Sequence, residues 1–335
     1  NFRYDFTDYV RYQRDVISPG TPLPSIDGRI TRTNTNETIQ NSLLTGFIKT
    51  NFEEDFGWSL PIQTTTHLAY DYRRTQNHQL QAQGTGFAPF PPYTIRNANT
   101  QSNDEVFSEF ITYGYLINQR FDYGSLFGFS GGVRVDYSSA FGAGNDAFVF
   151  PRADAYFNIS DFITSNTLTG FKLRAAYGQA GIQPSPYARR ITLNSGNIGD
   201  GSYLALQSIA NNPNLNVQVS EEAEVGTDIA LSLNSENWFN RITLNATYWK
   251  RNSNDVIYDI DLAPSSGASG ITDNAITLKS NGFKLGLDAD VFSSENLTWT
   301  FGTRFGTAVT VVDKISNGMP IALGAGGSGQ FTLQE

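Results

Sequence analysis

The stretch FGFSGGVRVDY, residues 127–137, decides the fold. Odd positions carry Phe127, Phe129, Gly131, Val133, Val135 and Tyr137, and even positions carry Gly128, Ser130, Gly132, Arg134 and Asp136. Successive side chains of a strand point to opposite faces, so this is a strand with one apolar and one polar side. The alternation recurs at 225–233, where Val225, Ile229, Leu231 and Leu233 oppose Gly226, Asp228 and Ser232. At 242–251 Ile242, Leu244, Ala246 and Tyr248 oppose Thr243, Asn245, Thr247 and Arg251. At 283–291 Phe283, Leu285, Leu287, Ala289 and Val291 oppose Lys284, Gly286, Asp288 and Asp290. Trp299, Phe301 and Phe305 oppose Thr300, Gly302 and Arg304 at 299–305, and weaker copies lie at 43–52, 64–73, 107–119, 150–159 and 171–178. The one helical hint is a short turn around 203–209.

These copies predict about ten strands of roughly 9–12 residues, where ordinary globular strands run to about 5–6. Strands that cross a bilayer need about 9–11 residues and alternate in this way. Aromatics near the strand ends, Phe121 and Tyr123, Tyr137 and Phe141, Tyr248 and Trp249, and Trp299, would suit a membrane-interface girdle. A β-sandwich also alternates, with its apolar face turned inward. The connections favour the barrel. Short turns at 53–58, 122–125, 234–240 and 293–296 contrast with long loops at 74–105, 180–222 and 252–280. Short and long connections alternate along outer-membrane barrels, and a sandwich has no reason to obey that rule. The expected fold is therefore all-β, an antiparallel transmembrane β-barrel.

Composition narrows the function. The 335 residues carry 23 Lys+Arg against 32 Asp+Glu, a net charge of −9. That balance argues against a nucleic-acid-binding surface. With no cysteine and two histidines, thiolate metal sites, iron–sulfur clusters and thiol nucleophiles are excluded and histidine metal chemistry is disfavoured. Charged residues are 16% against roughly a quarter in soluble domains, while aromatics reach 13%. No apolar run is long enough for a transmembrane helix. The start NFRYDFTDYV lacks the basic and apolar regions of a signal peptide.

No catalytic motif stands out, and no enzyme activity or cofactor is expected. A GxGxxG at 324–329 follows Ile321-Ala322-Leu323, but extended chain rather than a helix follows it, so a flexible loop is expected in place of a dinucleotide site. Glu53-Glu54 and Glu221-Glu222 read as solvated charges near loops. His67 falls on a polar strand face as a wall-lining residue. In a barrel, Arg134, Asp136, Arg152, Asp154, Lys172, Arg174 and Asp288 would line a wet lumen as a ladder of charges. The loop FAPFPPY at 87–93 offers Phe87, Phe90 and Tyr93 either to a sugar or peptide or to a Pro-stiffened cluster that pins the loop.

Several ordered segments resemble the barrel of the SusC/RagA family of TonB-dependent outer-membrane transporters of the Bacteroidetes. They are VRVDYSSAFG at 133–142, FPRADAYFNIS at 150–160, FKLRAAYGQAG at 171–181, NPNL at 212–215 with EVGTDIAL at 224–231, and SNGFKLGLDADV at 280–291. Within the first, Val-Asp-Tyr departs from the family's usual Arg-Asp-Gly. The resemblance implies a bacterial outer-membrane location and a 22-stranded barrel with a plugged lumen. It also implies a SusD-like surface lipoprotein as lid and an oligosaccharide or peptide as cargo. Energy would come from TonB–ExbB–ExbD through the plug. The sequence shows neither plug nor TonB box, so residues 1–335 are expected to be a partial barrel of a longer protein. A small self-closing porin and a secreted β-sandwich adhesin are the rivals. A charge at Val133 or Leu285 is expected to cost roughly 2–4 kcal/mol near the bilayer midplane. The same change at Gly132 or Lys284 is expected to be tolerated.

Overall fold

The computed structural model describes residues 2–5, 29–87, 92–141, 147–163, 165–233, 237–316, 321–326 and 329–333. Its strands are β1 (Phe2–Asp5), β2 (Arg29–Asn51), β3 (Ile62–Thr85), β4 (Thr100–Tyr123), β5 (Phe127–Ser138), β6 (Phe148–Asn158), β7 (Leu168–Ile182), β8 (Leu193–Ile198) and β9 (Gly201–Leu206). They continue with β10 (Ile209–Ala210), β11 (Gln218–Ser232), β12 (Trp238–Asp261), β13 (Gly270–Ser293), β14 (Thr298–Gly306), β15 (Val309–Ile315), β16 (Ile321–Gly326) and β17 (Gly329–Leu333). One sheet of 13 strands runs β1-β2-β3-β4-β5-β6-β7-β11-β12-β13-β10, with β14 and β15 both pairing with β13. The chain divides into two compact units, residues 1–44 with 70–114 and residues 45–69 with 115–335.

In the second unit, antiparallel register carries the alternation from strand to strand. Gly132 faces Arg152 across β5 and β6, and Arg174 of β7 faces Gly226 of β11. Gly226 faces Thr247 of β12, Thr247 faces Lys284 of β13, and Gly286 faces Arg304 of β14. Directly opposed residues share a face, so Arg134, Asp136, Arg152, Asp154, Lys172, Arg174, Glu224, Asp228, Lys284, Asp288 and Arg304 stand on one side of the sheet, with Glu221 and Lys250 on the other. Phe129, Phe157, Leu173, Val225, Leu244, Leu285 and Phe301 stand on the other.

That apolar side is open. Val225 is 62% exposed and Phe305 61%, values no sandwich interior would leave. An extended face of this kind has to meet something other than water, and lipid is what alternating strands of this length meet. Aromatic pairs gather where short turns close the strands. Phe52 meets Phe56 and Trp58 at 5.6 and 4.8 Å, Tyr123 stacks on Phe127 at 5.4 Å, and Trp238 meets Phe292 at 4.9 Å. Phe52 and Phe56 sit on α1 (Phe52–Phe56), with Trp58 just beyond it; the Asn51 side chain accepts the Glu53 N–H and Gly57 ends the helix at φ 68°. Among the described residues, a small conventional core gathers Ala275, Ile276 and Ile315 with Val256, Ile260 and Val312 around them.

In the first unit, β1 pairs antiparallel with β2, Phe2 opposite Leu44. Arg74 of β3 reaches Glu109 of β4 at 2.6 Å, and His78 Nε2 lies 2.6 Å from Glu105. The loop after β3 turns at Gly86, φ +76°, whose carbonyl accepts from Asn99 N–H at 2.9 Å. A Cβ on Gly84 would sit 2.8 Å from Ala98 Cβ, so glycine there permits the close return of the loop.

Several expectations change. β3, β4, β12 and β13 are each 24 residues long, about 80 Å at 3.4 Å per residue, far beyond what a bilayer requires. The expected loops 74–105 and 252–280 are therefore mostly strand, and the true connections are 86–99 and 262–269. Residues 74–85 are polar on both faces, which erases the alternation that marks a strand in sequence. In 252–280 polar runs such as Asn252-Ser253-Asn254-Asp255 interrupt it, although Val256, Ile260 and Ile276 feed the small core. Residues 180–222 hold the β8–β9 hairpin and β10 in place of a helical turn at 203–209. Of the GxGxxG segment, Gly324 to Gly326 end β16 and Gly329 begins β17, which pair with each other, so these residues are strand rather than loop, while 327–328 lie outside the described residues. Trp249 is not a girdle residue. It sits on the polar side, 9% exposed, with Arg251 5.6 Å and Lys284 5.8 Å from its ring. Gly132 cannot take a charged side chain either, because a Cβ there would lie 2.5 Å from Asn118 Oδ1 and 2.7 Å from Ile117 O.

Candidate functional site

The polar side of the second unit is built by one repeated device. A long side chain lies across a glycine on the next strand and bonds to the strand beyond it. Tyr156 of β6 crosses Gly128 of β5 and donates its hydroxyl to Asp122 Oδ1 of β4 at 2.9 Å. Arg152 crosses Gly132 and donates from Nε to Asn118 Oδ1 at 3.1 Å. Arg174 of β7 crosses Gly226 of β11 and donates from Nη2 to Thr247 Oγ1 of β12 at 2.6 Å. Two strand spacings are about 10 Å, which Arg and Tyr can span only if nothing stands between. Glycine supplies that gap, and a Cβ on Gly226 would lie 2.8 Å from Arg174 Cζ.

Ion pairs complete the array. Arg120 Nε bonds both Asp122 oxygens at 3.0 and 3.1 Å, and its Nη1 reaches Asp154 at 3.4 Å. Ser130 donates to the same Asp154. Lys172 Nζ stands 4.3 Å over the Tyr156 ring. Arg174 Nε also bonds Asp228, which accepts from Asn245 Nδ2 at 2.9 Å. Beyond it, Lys284 pairs with Glu224 at 3.4 Å, and Arg304 Nη2 bonds both oxygens of Asp288 at 2.7 and 2.9 Å. A cavity of about 250 Å³ opens between Arg120, Asp154, Tyr156, Lys172, Arg174 and Glu224. Most of these groups remain about a third exposed, so each pair is a modest stabiliser. Collectively they stiffen this side of the sheet and give it alternating charge. Among the described residues, no cluster of His, Asp and Glu could hold a metal.

The structure thus brings Arg152, Asp154, Lys172 and Arg174 into one neighbourhood. Arg134 and Asp136 pair with each other along β5 at 2.7 Å, and Asp288 stands apart with Arg304. His67 stacks on Phe47, ring centroids 4.5 Å apart. Phe87 and Tyr93 meet edge to face at 6.2 Å, while Phe90 lies outside the described residues. Sequence reading missed Arg120, Asp122, Tyr156 and Asp228. A signal was present. Arg120-x-Asp122, Arg134-x-Asp136 and Arg152-x-Asp154 repeat one spacing on three consecutive strands, and Gly132 stands opposite Arg152.

The model of the family described as "TonB dependent receptor-like, beta-barrel" matches residues 1–325. The chain belongs to that family. It is therefore part of a transmembrane β-barrel of the bacterial outer membrane, in a family of receptors rather than enzymes. TonB-dependent receptor P3 of Formosa agariphila is 26% identical over 261 residues, 74% of this chain and 25% of that protein. TonB-dependent receptor P26 of the same organism is 26% identical over 170 residues, 50% of this chain and 17% of that protein. The chain spans a quarter or less of these curated relatives. Among solved structures, a chain of the RagAB peptide transporter shares the fold with a TM-score of 0.78 at 18% identity, over 95% of this chain and 35% of that one.

Proposed function

We propose that this TonB-dependent receptor segment is the wall of an outer-membrane importer of the SusC type, moving glycan or peptide cargo. One observation carries the reading. The same strands present an uncovered apolar side, with Val225 62% exposed, and a charge-paired polar side running from Arg120 to Arg304. A wall with lipid on one side and water on the other needs that asymmetry, and a soluble adhesin would have to hide the apolar side. In this reading Arg134, Asp136, Arg152, Asp154, Lys172, Arg174 and Asp288 face the lumen. A SusD-like lipoprotein covers the outer loops, and TonB–ExbB–ExbD energises the transporter through a plug. The names of the Formosa relatives support TonB dependence, and the RagAB title supports peptide cargo.

The test is uptake by cells carrying the full-length protein, offered labelled short peptides and labelled oligosaccharides. Accumulation of either cargo that stops when a protonophore collapses the proton gradient is expected. Uptake insensitive to the protonophore would assign a passive porin instead. Recovery of the protein without detergent, with neither cargo taken up, would assign an adhesin.

A further inference from the structure

Where β11 ends, one edge of β12 is left open over a cavity. The register of β11 on β12 stops at Val219 opposite Asn254, and among the described residues no strand pairs with β12 beyond that point on this side. Ile257 N–H turns away from β13 and donates to Gln218 Oε1 at 3.4 Å. In an antiparallel pair a residue's N–H and C=O point to the same side, and every second residue repeats the direction. Asp259 and Asp261 therefore also turn their backbone groups away from β13. Gly270, opposite Asp261, agrees, for its own N–H turns outward to Ser208 O at 3.3 Å. With the Ile257 N–H held by Gln218, residues 257–261 offer about 13 Å of strand edge that carries the outward N–H groups of Asp259 and Asp261 and the outward carbonyls of Ile257, Asp259 and Asp261 at every second residue.

The edge looks into a cavity of about 760 Å³, within the usual range for ligand sites. Pro184, Pro186 and Tyr187 form another part of its wall. Two prolines on that wall lack N–H groups, so they do not compete for an incoming carbonyl. The wall is pre-set. Tyr187 holds a left-handed backbone at φ +66°, and Asn211 Nδ2 donates to the carbonyls of Tyr187 and Arg190 at 3.3 and 2.6 Å. Asp259 is the charged side chain in the lining, and its carboxylate accepts from Thr272 Oγ1 at 2.5 Å.

From this edge we infer that the cavity binds a short extended peptide, which adds as a strand to β12 at 257–261 and places a basic side chain beside Asp259. A polypeptide backbone repeats donor and acceptor at the spacing this edge presents, and a sugar does not. The carboxylate supplies the preference for positive charge. The inference rests on the importer reading and narrows its cargo to peptide.

The full-length protein in detergent tests it with fluorophore-labelled Ala-Lys-Val-Lys-Ala, the same peptide N-methylated at alternate amides, and maltohexaose. Asp259→Pro removes the outward N–H without touching the ladder to β13, a position where an edge strand tolerates proline. It should weaken the peptide about tenfold, as should N-methylation in the pairing register. Asp259→Asn should weaken the lysine peptide severalfold and leave an all-alanine analogue unchanged. Equal binding of the parent and both methylated registers would overturn strand addition, as would an assembled Asp259→Pro protein that binds like wild type. If that variant fails to assemble, the methylated peptides decide alone. Binding of maltohexaose with no binding of peptide would return the cavity to glycan. Failure of the importer reading looks different, because cellular uptake would then be absent while the methylation pattern persisted. Persisting uptake with binding unchanged in Asp259→Pro would sink the site and leave the importer.

Discussion

Leu80 of β3 and Leu285 of β13 are exposed to nearly the same degree, 45% and 43%, yet their surroundings differ completely. Leu285 belongs to the run Phe283, Leu285, Leu287 on one side, with Lys284, Gly286 and Asp288 on the other. Leu80 sits in Asn77-His78-Gln79-Leu80-Gln81-Ala82-Gln83, polar on both sides. Both segments are strand. Alternation is therefore a record of two different solvents on the two faces, and a strand wet on both sides leaves no such record. Exposure alone does not distinguish a leucine in lipid from a leucine in water.

The same substitution at both positions should break the symmetry most sharply. Leu285→Arg is expected to cost roughly 2–4 kcal/mol if the residue lies near the bilayer midplane. Leu80→Arg should stay within about 0.5 kcal/mol, as surface changes do. Urea titration of the full-length protein in lipid vesicles, with heat-modifiable mobility as the readout of assembly, measures both. Equal effects at the two sites would mean that lipid does not cover the 283–291 face.

This contrast explains what the sequence could and could not reveal. The strands at 127–137, 225–233 and 283–291 were legible because one face meets lipid. Residues 74–85 read as a loop because Thr75-Gln76-Asn77 and their neighbours carry no apolar face. Residues 252–261 read as one because the polar run Asn252-Ser253-Asn254-Asp255 precedes a short apolar stretch, Val256 to Ile260, that packs on the small core around Ile276. What holds those extensions in register is pairwise and non-local, such as Arg74 with Glu109, and no local pattern announces it. The candidate site was half legible for a related reason. Arg174 and Asp228 could each be placed on a polar face, but their meeting, and the reach from Arg174 to Thr247, depends on the register of three strands.

The next largest effect should come from filling a glycine gap. Gly226→Val would place a Cβ 2.8 Å from Arg174 Cζ and 2.9 Å from Ala246 O. Overpacking of this kind typically costs about 1–3 kcal/mol. The same titration should show it, with Arg174 forced off Thr247. A neutral result would mean that the crossing side chain relocates freely and that the glycine serves no steric purpose. Arg174→Met leaves the gap intact but removes the cation. With both partners about 35% exposed, screening limits the loss to about 1 kcal/mol. Its effect should vanish in the Gly226→Val background, since the two changes act on one contact.

The smallest effect belongs to the water-exposed extension and fixes where the two regions part. His78 and Glu105 lie 2.6 Å apart with side chains 44% and 66% exposed. Such a pair should couple by about 0–1 kcal/mol in a double-mutant cycle with alanine at each position. Water competes for both groups, and two mobile side chains lose conformational freedom in meeting. A coupling well above that range would place the pair in a medium of lower dielectric than water. Some other surface would then have to cover this stretch of β3 and β4, and the wet region would begin farther along the hairpin, beyond His78. A coupling near zero, alongside a large penalty at Leu285, would fix the contrast as one of solvent and leave the hairpin's register to its backbone ladder.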